Sequence, residues 1–522
     1  MKVGGLALWI LIASACWALA GCGDDDSSGG DGGTDTDTDS DADAGVDAGN
    51  NYDAEILWAK RSGTDSEEYI DSFAVLLDDS LVMASWYMSE TIFGEGEATE
   101  TTLGGAEACP SVTTGLGALA KYAPDGSLLW AKGLGHAPGT AIAALPTDDF
   151  ALAGFFCGTP VFGEGEPNEI ELTDQGAAID MYLAVFEADG SLIWAKSIVS
   201  DNDAIPWEVA AAPDGSVFIY GAFTGSIIFA AGQANETEVV GSDDKFLAKY
   251  SADGSLSWAR RLGTDTQEYT GQISFAPDGT LWVAGSFEGS TTLGAGESGE
   301  TVLTSAGAAD LYVARLDEDG ALLCAARAGG ADNEGASRVA AASDGFAIVA
   351  GYFRGTAVFG EEEPGETELT SVGNTDAFLA KYDEDCTLAW ALAVSGPEYD
   401  DPSTLAVSAD GAAVLTGTFA SASVEVGDAA SGHVELTSAS GIGEFVARYD
   451  ADGMLDWATE IEQEVNVFDH TYAAFLSDGS TYLGGDFSGS LTVGVGDPGE
   501  ATLDTSFTAG GSTDRWLARV AP

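Results

Sequence analysis

Two short stretches decide how this chain is read: residues 52–63, YDAEILWAKRSG, and residues 511–522, GSTDRWLARVAP. Between them the equivalents of these pieces lie side by side, with the second kind first, as in residues 242–263, SDDKFLAKYSADGSLSWARRLG. With the first fifty residues set aside, the sequence thus opens on the closing half of a unit and finishes on the opening half of another. A repeat divided this way calls for a geometry in which the two ends meet.

Aligning on L-x-W-A places marks at Trp58, Trp130, Trp194, Trp258, Cys324, Trp390 and Trp457, separated by 72, 64, 64, 66, 66 and 67 residues. That makes seven units. Twelve residues before each mark after the first, a [FYW]-[LV]-A strand begins, at Ala118, Tyr182, Phe246, Tyr312, Phe378 and Phe445. The same feature recurs at Trp516, and the only mark without a partner is Trp58. Each unit reads as two hairpins. FLAKYSADGSLSWARRL turns at Asp253-Gly254, and GQISFAPDGTLWVAGSF turns at Asp278-Gly279; Asp and Gly tolerate the positive φ that tight turns need. Four short strands in about 66 residues match a propeller blade, and radial repetition hides the strand edges that an open array would expose. The expected fold is all-β, a seven-bladed β-propeller with 3+1 closure. Strands around residues 472–476, 482–487 and 516–520 would be completed by residues 56–60.

The pattern G-x-F-x-G-[ST]-x-x-F-G, followed by L-T-S-x-G-x-x-D-x-F-L-A-K-Y-D-x-D-G-x-x-x-W-A, resembles a bacterial β-propeller repeat family found in secreted and lipid-anchored proteins. It covers nearly all of residues 53–522. The resemblance implies architecture and brings no shared activity. Departures are local: Leu116 stands where five of the other units have Asp, and Cys324 stands for Trp.

Six of the twelve Trp fall at one strand position, where a large ring is expected to pack between neighbouring units; Trp207 is read as a loop residue. The connections sort by chain direction. Short turns share one face. The long acidic excursions FGEGEATETTL from Phe93, FGEGEPNEIEL from Phe162, LGAGESGETVL from Leu293, FGEEEPGETEL from Phe359 and VGVGDPGEATL from Val493 share the other. They join GTDSEEY from Gly63 and GTDTQEY from Gly263 there. With their Glu pairs solvated, they make this acidic face the expected binding surface.

With 86 acidic and 18 basic residues the formal net charge is −68, which excludes the basic footprint of nucleic-acid or anionic-membrane binding. Calcium suits carboxylates, and Asp180, Asp244, Asp310, Asp376 and Asp514 recur two residues before a strand aromatic. No EF-hand spacing accompanies them, and an Asp at a strand entrance commonly caps backbone N–H groups. No cofactor is therefore expected, and calcium is kept as an option without an assigned metal site. His136, His433 and His470 are the only histidines, and no nucleophile elbow, zinc-ligand pair or phosphate loop occurs, so no catalytic residue is assigned. The expected role is that of a monomeric binding or scaffold module for a protein or glycan partner. The alternative is a polysaccharide-active enzyme or a calcium-dependent adhesin on the same scaffold.

At the other end, Lys2 and an apolar stretch over residues 3–20 lead into Leu19-Ala20-Gly21-Cys22, which resembles a bacterial lipobox. The resemblance implies cleavage after residue 21 and acylation of Cys22, hence a palmitate-type anchor in the cell envelope, on the outer membrane's periplasmic or surface side. Residues 23–51 carry ten Asp and no hydrophobic residue larger than Val46, so residues 22–52 have the composition of a disordered tether, which leaves residues 53–522 as the propeller. With Cys16 in the signal peptide and Cys22 acylated, Cys109 and Cys157 are the expected disulfide, since both fall by excursions of adjacent units. Cys324, mid-strand, and Cys386, in a turn assigned to the other face, are read as poorly placed for a bridge.

Overall fold

The computed structural model describes residues 54–522 apart from 65–66, 105–114, 176–178, 203, 263–267, 429, 439, 466–470 and 505–512. Its strands follow from local patterning. Strands such as Asp180–Phe186, DMYLAVF, are buried on both faces, as expected of a sheet sandwiched between two others. The hairpin turns are Asx turns. Asp253 Oδ1 accepts from Ser255 N at 2.9 Å and Asp278 Oδ1 from Thr280 N at 2.9 Å, while Gly254 and Gly279 take φ of 78° and 88°.

Four strands make the first blade: Glu68–Val75, Leu81–Tyr87, Leu116–Tyr122 and Leu128–Gly135. The inner strands of the seven blades are Glu68–Val75, Gly139–Ala144, Ala204–Ala211, Glu268–Phe275, Gly335–Ala341, Asp400–Val407 and Tyr472–Phe475. Each lies beside the next, and the last lies beside the first. The protein is a seven-bladed β-propeller.

Closure is direct. Ile56–Ser62 pairs antiparallel with Asp514–Val520, with Ala59 opposite Ala518 and Arg61 opposite Trp516. Asp514–Val520 pairs in turn with Thr481–Val493, and that strand with Tyr472–Phe475. Three strands from one end and one from the other complete the seventh blade. The hydrophobic core accordingly comes as seven clusters, one in each seam between blades; an open stack of seven blades would have only six. At the closing seam Phe73 and Tyr472 stand 5.8 Å apart between ring centroids, and Ile70 N donates to Asp486 Oδ1 at 2.8 Å. The fully buried Arg515 donates to Ser85 Oγ and Glu68 Oε2, both at 2.9 Å.

The repeated Trp packs across seams as expected. Its Nε1–H donates to a turn carbonyl of the next blade: Trp58 to Pro124, Trp130 to Ala188, Trp194 to Ala252 and Trp390 to Ala451, at 3.0–3.4 Å. Each of these rings rests on a glycine of that turn; a Cβ at Gly254 would lie 2.8 Å from the Trp194 ring. The fourth–fifth seam corrects the reading of Cys324 and Cys386. Cys324 occupies the tryptophan position, Cys386 with φ 62° occupies the glycine position, and the two form a disulfide with Cα atoms 5.9 Å apart. A strand's mark and the next blade's turn are neighbours, so assigning the turn to the far face was no obstacle. Cys157 is also disulfide-bonded; Cys109 and Cys22 lie outside the described residues.

Candidate binding face

The acidic excursions do not project as a free face. Each continues from its blade's second strand, turns outward and runs down the rim, beside the outer strand of the preceding blade. Ile228 pairs with Val199, Val358 with Gly329, Val426 with Val394 and Val493 with Ile461. The glutamates expected in solvent are largely used inside these straps. Glu97, Glu166, Glu297 and Glu363 each accept, at 2.6–2.8 Å, the first backbone N–H of their own blade's outer strand, at Leu128, Leu192, Leu322 and Leu388. Three of the four also reach a cation on the preceding blade: Glu97 to Lys60 at 2.8 Å, Glu166 to Lys132 at 3.5 Å and Glu297 to Arg260 at 3.4 Å. A glutamate three residues further on, such as Glu100 or Glu300, caps the turn by accepting from Gly96 N or Gly296 N at 2.7 Å. The FGEGE motif is thus an inter-blade clasp.

The recurrent aspartates cap backbone in the way their strand-entrance position suggested. Asp180 accepts from Gln175 N at 2.9 Å, Asp310 from Ala306 N at 3.0 Å and Asp376 from Val372 N at 2.8 Å. Among the described residues no group of three or more His, Cys, Asp or Glu is placed to hold a metal ion. His136 lies before the second blade's inner strand and His433 in the sixth blade's excursion, so they form no pair; His470 lies outside the described residues.

What remains on the face where inner strands begin is the mouth around the axis. Six of the inner strands carry a bulge near their start, between Ile70 and Ser72, Gly139 and Ala141, Pro206 and Glu208, Tyr269 and Gln272, Ala336 and Arg338, and Pro402 and Thr404. Bulges re-aim side chains. The third-blade bulge contains Trp207, which is therefore a strand residue and not a loop one; Lys245 Nζ stands 4.7 Å from its ring. Half-buried Tyr69 and Trp86 stack at 4.6 Å in the first blade. Arg354, donating to Thr375 Oγ1 at 2.9 Å, stands 5.9 Å from the exposed Tyr399 ring.

Just inside the mouth, the residues following the bulges form a polar belt. Gln272 donates to Glu208 Oε2 at 2.9 Å. Arg338, which donates to Ser403 O, is two blades from Glu208 and acts electrostatically on it and on Tyr472, two blades further on, so these groups lie within electrostatic reach of one another across the axis. Burial pushes the Glu208 carboxyl up to about 7 against the pull of Arg338, and burial lowers Arg338. Sequence reasoning passed over this belt because a bulge and an axis-facing side chain leave no spacing signal in one chain.

No protein-family model matches the sequence. A curated relative is the uncharacterized WD repeat-containing protein L264 of Acanthamoeba polyphaga mimivirus, 23% identical over 358 residues, which cover 58% of the present chain and 26% of that protein. The match therefore spans about a quarter of the relative's length. Among solved structures, the Dos1 propeller is similar over 90% of this chain and 95% of its own, with 9% identity and a TM-score of 0.40. A protein of unknown function from Dyadobacter fermentans is similar over 90% and 97%, with 9% identity and a TM-score of 0.34. For the WD40 domain of Neurospora crassa Pan2 the shares are 70% and 92%, with 8% identity and a TM-score of 0.28. None of these assigns a ligand to the present chain.

Proposed function

We propose that the protein is a binding module that takes a protein partner at the axial mouth and is held at a bacterial envelope membrane by an acylated Cys22. The observation that carries the reading is the set of aromatics, half-buried or exposed, that stand there with cations or with one another: Tyr69 with Trp86, Trp207 with Lys245, and Tyr399 with Arg354. Trp, Tyr and Arg supply most of the energy in protein recognition, and a rigid strand scaffold holds them at low entropic cost. On a chain of net charge −68, cations at the axis within an acidic surround favour a partner that offers acidic groups at its tip and basic groups around them. The composition of residues 22–52, with ten Asp, supports the anchoring half of the reading as that of a spacer between Cys22 and the propeller.

A second reading, a glycan ligand, is favoured by the stacked Tyr69–Trp86 pair, because a sugar ring packs on a flat aromatic face. Capture from envelope extract with the full chain, beside Trp86→Ala and Trp207→Ala variants, separates these. The proposal expects one captured protein, lost in both variants while thermal unfolding is unchanged. Saturable glycan binding lost only in Trp86→Ala would favour the second reading, and capture indifferent to both substitutions would end the assignment to the mouth. Mass spectrometry of the mature N-terminal peptide tests the anchor; an unmodified Cys22 removes it.

A further inference from the structure

Several seams bury an acid at the start of one blade's third strand against an acid that opens, or immediately precedes, the next blade's inner strand, and the protein usually supplies a guanidinium between them. In the seventh–first seam Asp514 and Glu68, both fully buried, are met at 2.9 Å by Arg61 and Arg515 respectively. In the fourth–fifth seam Asp310 and Glu334, both fully buried, have Arg327 bonded to Asp310. In the third–fourth seam Arg261 meets Asp244 at 2.9 Å. Arg61, Arg261 and Arg327 hold one register position, opposite Trp516, Phe246 and Tyr312.

The fifth–sixth seam repeats both acids, Asp376 and Asp400, each 0% exposed, and has Ala393 at that register position, opposite Phe378. Among the described residues neither aspartate forms an ion pair with a basic side chain. Asp376 accepts from Val372 N at 2.8 Å and Gly373 N at 3.4 Å and from the Ser395 hydroxyl, but neither carboxylate oxygen of Asp400 makes a hydrogen bond of ordinary geometry, the Gly396 backbone N–H lying beside it. A Cβ placed on Gly396 would lie 2.9 and 3.1 Å from the two Asp400 oxygens and 3.0 Å from the hydroxyl of the buried Ser421. The two Asp400 oxygens and the Ser421 hydroxyl are thus grouped around Gly396.

We propose that this seam is a calcium site, with Asp376 and Asp400 as its carboxylate ligands, in the place taken by a guanidinium in the seventh–first, third–fourth and fourth–fifth seams. Two buried carboxylates without a paired cation are costly, and one divalent ion neutralises both. The donors are hard oxygens, to which Ser421 adds a hydroxyl. Calcium accepts an irregular shell of carboxylates, hydroxyls, carbonyls and water, whereas magnesium demands near-octahedral geometry. The acidic surface also concentrates cations near the seam.

Calcium counting by equilibrium dialysis and thermal unfolding, with chelator or with about 1 mM calcium, tests this on the full chain and on Ala393→Arg and Asp400→Asn. The expected result is that calcium raises the wild-type midpoint saturably and that each variant binds one ion fewer. Ala393→Arg in chelator should unfold no lower than calcium-loaded wild type, since it restores the internal cation. This variant adds a group, so it decides the matter even if Asp400→Asn fails to fold. Equal ion counts in wild type and Ala393→Arg would overturn the proposal, as would a wild-type midpoint indifferent to calcium. A midpoint that follows pH and ignores calcium would mean that the two acids share a proton instead.

Discussion

Cys324 and Cys386, 5.9 Å apart at Cα, occupy in one seam the two positions that four other seams fill with a tryptophan ring lying on a glycine. A ring and a hydrogen atom have been exchanged for two sulfur atoms. The exchange works only as a pair, because the Cβ of Cys386 leaves no room for the indole and a lone Cys324 would not fill the space.

The loop closed by the bridge spans 62 residues, so Cys324→Ser is expected to cost about 2–4 kcal/mol in oxidising buffer. Cys324→Trp combined with Cys386→Gly should recover most of that without a crosslink. Urea unfolding measures both. A double variant no more stable than Cys324→Ser would show that the two packings are not equivalent.

The straps give a second expectation. Glu97 joins Leu128 N to Lys60 across a seam, whereas its neighbour Glu95, 54% exposed, only meets Arg61 at the surface. Glu97→Ala should therefore cost about 1–3 kcal/mol and Glu95→Ala less than about 1 kcal/mol. Equal losses in denaturant unfolding would return these glutamates to the role of solvated charges.

Acidity should favour the fold over an unusual range. Burial pushes Asp400, Glu334 and Glu460 up to about 7, with the neighbouring acids Asp376, Asp310 and Glu462 adding to the rise. A carboxyl raised in the folded state carries its proton there and loses it in the unfolded chain near pH 4, so its burial costs little below about pH 4 and progressively more as pH climbs through about 7. Hairpin aspartates such as Asp189 and Asp253 run the other way: the hydroxyls and backbone N–H groups of Ser191 and Ser255 hold them low, and their support fades below about pH 4. In chelator, denaturant stability is expected to peak near pH 4–5 and to fall toward pH 8. Asp400→Asn should flatten part of that fall; an unchanged slope would exclude Asp400 as its source.

Much of the fold was legible because strand alternation, turn residues and a fixed repeat length are local signals that one chain displays. The halved repeat at Trp58 and Trp516 went further and identified the pairing of the two ends. The site was less legible. A run such as FGEGE looks the same whether its carboxylates face water or an adjacent blade, because the distinction depends on where the previous blade's Lys60 stands. The Cys324–Cys386 bridge is hidden for a related reason: Cys324 is visible as a substitute for Trp, but Cys386 as a substitute for the turn glycine becomes meaningful only once the two positions are known to touch. The polar belt of Glu208, Gln272 and Arg338 depends on proximity across an axis, which no spacing along the chain encodes.

Everything described here requires the first strand to be the outer strand of the seventh blade, and Ala59 facing Ala518 offers the most direct probe. Oxidising an Ala59→Cys, Ala518→Cys variant should give an intramolecular disulfide in monomeric protein, seen as linked proteolytic peptides carrying positions 59 and 518. Absence of that link, or links found only between separate chains, would contradict the closed ring.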